Sequence, residues 1–91
     1  MMLQQQFQVS DDAIGREVAG EMVLLDLASG QYFGLDPVGS RIWDRLSQGP
    51  CTFTDLCDMI EAEFDAPRDV IESDTQALIA QLSEKKLVSP V

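Results

Sequence analysis

Cys51 and Cys57 are the side chains best equipped for covalent chemistry in this chain, and their surroundings withhold it. A thiol acts as nucleophile or metal ligand in its thiolate form, which needs a neighbouring base, cation or metal. The chain contains no histidine, so a Cys–His pair cannot form within it. Two thiols alone fall short of a zinc ligand set and do not make a disulfide framework. They read as a loop thiol at Cys51 and a buried helical thiol at Cys57. Carboxylates are plentiful, 16 Asp and Glu against 6 Lys and Arg. They are scattered over helices and loops, which suits solvated faces better than paired general acids and bases. No Walker loop, GxGxxG or GxSxG is present. The expectation is a protein with no catalytic residues, no metal and no cofactor.

The net charge of -10 bears on partners. Nucleic-acid binders present a basic stripe that releases counterions from phosphates. Here Arg41 and Arg45 flank Asp44, Arg68 precedes Asp69, and Lys85-Lys86 follows Glu84. The two lysines fit a helix C-terminus, where cations complement the dipole. Neither nucleic acid nor an anionic membrane is an expected partner. No apolar run approaches the roughly 18–20 residues that span a bilayer, and the start MMLQQQFQVSDD lacks the layout of a secretory signal. The expected location is the cytoplasm.

The elements that must position any site can be read from spacing. At 91 residues with 45% hydrophobic content, residues 1–91 read as a single domain, with 1–5 frayed. Phe7 and Val9 alternate with polar neighbours, suggesting a first strand. Asp11-Asp12 breaks it, and Gly15 and Gly20 punctuate the segment after it. Val23–Asp26 is an apolar β-rich run, Ala28-Ser29-Gly30 reverses the chain, and Gln31–Leu35 returns. With Phe7–Val9 beside this hairpin, the sheet has three strands.

Three helices come next. Asp36-Pro37 starts the first, with Val38, Ile42, Trp43 and Leu46 on one face and Gly49-Pro50 as the stop. The second begins near Thr52, with Asp55 as capping partner and Leu56, Cys57, Ile60 and Phe64 at helical spacing. After Ala66-Pro67, the third and longest carries Val70, Ile71, Leu78, Ile79 and Leu82. Leu87-Val88 packs back as a final turn or strand. The fold class is α+β and winged-helix-like: a three-stranded antiparallel β-sheet followed by three α-helices.

This ordered set resembles the PqqD-like family, the peptide-recognition elements of ribosomal-peptide modification pathways. The residues that carry the resemblance are Leu25, Asp26, Gly30, Tyr32, Leu35, Asp36, Gly39, Ile42 and Trp43, with Leu78, Leu82 and Leu87-Val88 at matching spacing downstream. It covers nearly the whole chain from about Phe7. Among subfamilies it is most similar to the stand-alone B-type recognition proteins of lasso-peptide clusters. Fused versions carry a Cys/His/Asp peptidase domain. Without a histidine, this chain would work with a separate leader peptidase, and with a cyclase or other modifying enzyme after it.

The resemblance implies a mechanism. The leader segment of a precursor peptide would add as an antiparallel strand to the third strand, beside the third helix, by β-augmentation. Gln31, Tyr32, Phe33, Gly34 and Leu35 would form the edge; Val70, Asp74, Ala77, Leu78 and Gln81 would form the helical wall. Asp74 would accept from a leader hydroxyl or cation. Each net backbone hydrogen bond contributes about 0.5–1.5 kcal/mol, and ordering each leader residue costs about 1–2 kcal/mol. Main-chain pairing therefore nearly cancels. Affinity must come from apolar side chains in pockets, at about 1.5–3 kcal/mol for each large one. Within the alternation, Trp43 reads as core, Tyr32 as a contact residue, and Gly34 as a bulge or a place of close backbone approach.

Three alternatives stand beside this reading. A chaperone of the quinone-cofactor (PQQ) biosynthesis type would hand its peptide to a radical enzyme. A winged-helix transcription regulator would need a basic recognition helix, which neither Leu56–Phe64 nor Val70–Leu82 supplies. A small redox enzyme would have to rely on Cys51 or Cys57. An uncovered strand edge can also pair with its own copy, so the expected state is monomer or weak homodimer.

Overall fold

The computed structural model describes residues 4–91. The order is β1 (Gln6–Val9), β2 (Ala13–Val18), β3 (Glu21–Asp26), β4 (Gln31–Gly34), α1 (Pro37–Leu46), β5 (Cys51–Thr52), α2 (Phe53–Glu63), α3 (Arg68–Glu84) and β6 (Val88–Pro90). The α+β class is as expected, with a three-stranded antiparallel sheet ahead of the helices. Of the frayed start expected over 1–5, positions 1–3 lie outside the described residues, whereas the Gln5 carbonyl accepts from Phe53 N–H at 3.2 Å.

The strands form two sheets, β2-β3-β4 and β5-β1-β6. Phe7–Val9 therefore does not join the hairpin. Phe7 pairs with Cys51 on one side and Pro90 on the other. Its buried ring belongs to the same core as Cys51 and Val88, so burial decides where the strand lies. The place expected for it is taken by Ala13–Val18, a segment in which Gly15 and Gly20 look like loop punctuation. Both glycines have local reasons. A Cβ on Gly15 would collide with the Trp43 indole, so the absent side chain lets the helix pack under the strand. Gly20 sits in a two-residue hairpin loop between Val18 and Glu21, where Ala19 and Gly20 both adopt positive φ (53° and 84°). That backbone matches the twist of the flanking strands.

The second reversal is also set by its residues. The Asp26 carboxylate accepts from Ala28 N–H at 3.1 Å and Ser29 O–H at 2.9 Å. Gly30 supplies φ 75°. The sheet that results packs its inner face on α1, where Leu24 meets Ile42, Trp43 and Leu46 in one core.

The helices start where side chains can cap them. Asp36 accepts from Gly39 N–H at 2.7 Å with Pro37 opening α1, and Thr52 accepts from Asp55 N–H at 3.1 Å ahead of α2. α3 has no side-chain cap. Instead Arg68 ties its first turn to α2, reaching Asp58 at 2.8 Å and Glu61 at 3.1 Å, and to Glu72 at 2.9 Å. Leu56, Cys57 and Ile60 of α2 interlock with Ile71, Ile79 and Leu82 of α3. Val70, expected on that apolar face, points outward at 44% exposure, because successive helix residues are rotated by about 100°. Cys51, expected in a loop, is buried in β5. Leu87 and Val88 return as expected, with Val88 opening β6. Among the described residues no helix is long and apolar enough to cross a membrane.

Candidate functional site: an open strand edge beside a trough

β4 is an edge strand, and the ladder fixes which of its backbone groups are free. Its register sets Leu24 opposite Phe33 and Asp26 opposite Gln31. The next bond, Leu35 N–H to the Met22 carbonyl at 2.9 Å, shows that odd-numbered residues of β4 turn their N–H and C=O towards β3. In an antiparallel ladder this role alternates. Tyr32 and Gly34 therefore direct their donors and acceptors away from the sheet, towards any strand that lies alongside.

Side chains alternate in the same rhythm. Phe33 and Leu35 face inward; Leu35 is buried, and Phe33 is half-buried with the Lys85 ammonium 4.6 Å from its ring centroid. Tyr32 and Gly34 face outward. Tyr32, 70% exposed, shares a shallow hollow with Ile14, Arg16, Val18, Val23 and Leu25. Gly34 is neither a bulge nor a close approach to the chain's own backbone: a Cβ there would meet nothing within 4 Å.

Inward of the edge lie two adjoining hollows. One, of about 270 Å³, is lined by Tyr32, Phe33, Gly34, Leu35, Gln81, Leu82 and Lys85. The other, of about 320 Å³, is lined by Asp36, Val38, Gly39, Ile42, Asp74, Ala77, Leu78 and Gln81. Gln81 borders both, so together they form one trough between β4, the start of α1 and α3 from Asp74 onward. Gly39 makes the floor possible. A Cβ on it would press to 3.1 Å from the Asp36 carboxylate and 3.4 Å from Leu78.

Of the residues named from the sequence, Tyr32, Phe33, Gly34, Leu35, Asp74, Ala77, Leu78 and Gln81 line this trough. Gln31 is exposed at the start of β4, and Val70 lines neither hollow. Six other lining residues, Asp36, Val38, Gly39, Ile42, Leu82 and Lys85, are not among the contacts expected from the sequence. Asp36 and Gly39 are legible there as cap and motif, and Lys85 as a helix-end cation. What spacing does not reveal is that α3 runs antiparallel to β4, which carries its last turn to Phe33.

The two thiols lie outside this site. Burial pushes the Cys57 thiol up, opposed by the Thr75 hydroxyl, and burial likewise pushes up Cys51, opposed by Arg45. Neither is poised as a thiolate. Among the described residues no group of His, Cys, Asp and Glu could hold a metal ion. What the arrangement can do is hold an extended peptide.

Comparison with known proteins points the same way. Residues 21–88 match the model of the family described as coenzyme PQQ synthesis protein D (PqqD). No curated protein matches the chain. Among solved structures, the chain resembles TbiB1 in complex with the TbiA(beta) leader peptide, at 38% identity and TM-score 0.82, over 90% of this chain and 94% of that one. It also resembles a lasso peptide synthetase B1 complexed with the leader peptide, at 28% identity and TM-score 0.79, over 92% of this chain and 98% of that one.

Proposed function

The chain belongs to the PqqD family, and from that membership we propose that it binds the leader segment of a ribosomally made precursor peptide in lasso peptide biosynthesis. The carrying observation is the free edge of β4 beside the trough. A leader strand pairs with the outward backbone groups of Tyr32 and Gly34. Alternate leader side chains then fall on two faces. Those opposite Phe33 and Leu35 enter the trough against Leu78 and Gln81; those level with Tyr32 and Gly34 lie on the outer face beside Val23 and Leu25.

The chain acts as a non-catalytic adaptor in this reading. It orders the leader and presents it to a separate leader peptidase, then to a cyclase, in the cytoplasm. Both similar solved structures are complexes with a leader peptide, and one of them is a lasso peptide synthetase B1, which supports the lasso assignment over a precursor of coenzyme PQQ. The test is a titration with a labelled lasso-precursor leader peptide, followed by fluorescence anisotropy. Saturable binding that Tyr32→Ala and Gly34→Pro weaken is the expected result. Binding indifferent to both would remove the proposal.

A further inference from the structure

The trough carries opposite charge at its two ends. At one end Asp74 of α3 faces Asp36 across Val38 and Leu78. At the other, Lys85 stands over Phe33. Among the described residues Lys85 shares its lack of a carboxylate partner with Arg16 and Lys86, but of these three it alone lines the trough. Of the 6 Lys and Arg, Arg41 is engaged by Asp44 and Glu63, Arg68 by Asp58, Glu61 and Glu72, and Arg45 by the Gly49 carbonyl. Among the described residues no carboxylate pairs with Lys85 and no cation pairs with Asp74. Both are thus available at the rim of a groove whose middle is lined by apolar Leu35, Ala77, Leu78 and Leu82 together with Gln81.

Resting on the strand-addition reading above, we infer that this trough selects leaders bearing a basic, an apolar and an acidic residue at alternate positions, in that order from N- to C-terminus. The order is a matter of direction. β4 runs from the Lys85 end towards Asp36, so an antiparallel ligand enters at the acidic end. The spacing is a matter of length. Asp74 and Lys85 are 11 positions apart along the helix and its cap, about 16 Å at 1.5 Å per residue. An extended peptide covers that in about five residues at 3.3–3.4 Å each. Only alternate residues face inward, so the matching separation is four positions, with the long charged side chains closing the remainder. The middle inward residue then lies against Leu35 and Leu78. A charge at each end also disfavours the parallel orientation, in which like charges would meet.

The experiment pans a display library of random peptides of about ten residues, long enough for the trough, against the full chain. Recovered peptides are expected to carry Lys or Arg, an apolar residue, and Asp or Glu at alternate positions in that order. Exchanging the two charges of a recovered peptide should weaken binding about fivefold at low salt and hardly at all at high salt. The double variant Asp74→Lys/Lys85→Glu should recover the reverse order. Peptides with no charge order, or a double variant recovering the original order, would overturn the inference. If those peptides still lose affinity for Gly34→Pro, the adaptor reading survives. If no recovered peptide responds to Gly34→Pro, both fall.

Discussion

Replacing Gly34 with proline separates the edge from the fold. The Gly34 N–H points away from β3 by the alternation of the ladder, so no intrachain ladder bond is lost. Proline is tolerated in edge strands at such positions, the preceding Phe33 is already extended, and the outer side of residue 34 is open. Phe33→Pro is the opposite case, because it deletes an N–H that pairs with β3 opposite Leu24. The effect on binding can be worked out. The leader loses one net hydrogen bond and keeps a carbonyl with no partner, which together cost about 1–3 kcal/mol, or roughly five- to 150-fold in Kd. Gly34→Ala keeps the N–H and fits the open space, so it controls for the side chain. Circular dichroism melts report the fold, and anisotropy with a labelled leader reports binding. Gly34→Pro should melt near wild type and bind weakly; Phe33→Pro should lose stability. If Gly34→Pro folds and binds like Gly34→Ala, the strand-addition mechanism is wrong. If it unfolds as Phe33→Pro does, the ladder has been read in the wrong phase.

Other residues give further expected outcomes. Tyr32→Ala should weaken leader binding about tenfold, or about 1.4 kcal/mol, by removing an exposed ring from the outer row beside Leu25; anisotropy checks it. Gly15→Val should destabilise the fold by about 1–3 kcal/mol, because the added side chain meets the Trp43 indole, and thermal melts followed by Trp fluorescence would show it. Stability should fall as pH rises above about 9: burial raises the folded-state value of the Cys57 thiol above its ordinary 9.0, so the unfolded chain sheds its proton first. That contribution is complete below 9 and is lost on the way up to the folded value, and Cys57→Ala should flatten the slope in denaturant titrations across alkaline pH. Random duplex DNA at low salt should give no mobility shift with a chain of net charge -10.

How much of the molecule is legible in its sequence depends on whether a signal is local. The turn at Gly30, the Asp36-Pro37 start and the Thr52 cap are local, and each stands where its residue types place it. The three helices emerge from apolar spacing for the same reason. Ala13–Val18 escapes such a reading because its glycine is explained only by Trp43, 28 positions downstream. The partners of Phe7–Val9 escape it similarly, since Cys51 and Pro90 lie far off in sequence. In the site, Tyr32, Leu78 and Gln81 can be named because the family resemblance points to the third strand and third helix, on which the strand and helix periods then mark the faces. Val70 is misplaced by a single step of the helix. Lys85 is recognisable as a cation but not as a wall of the trough, because only tertiary packing brings it over Phe33.

The sheet that carries β4 has a second bare rim. β2 is its other outer strand, and the phase of the ladder turns the backbone of Gly15 and Glu17 outward there. Two unlike rims on one body permit head-to-tail stacking of copies, a geometry that grows open filaments instead of closing into a ring. With 16 acids against 6 bases, like-charge repulsion between copies opposes that growth. Acidity is then a colloidal safeguard for a molecule obliged to keep its sheet unfinished, and it weakens wherever salt or acid neutralises the carboxylates.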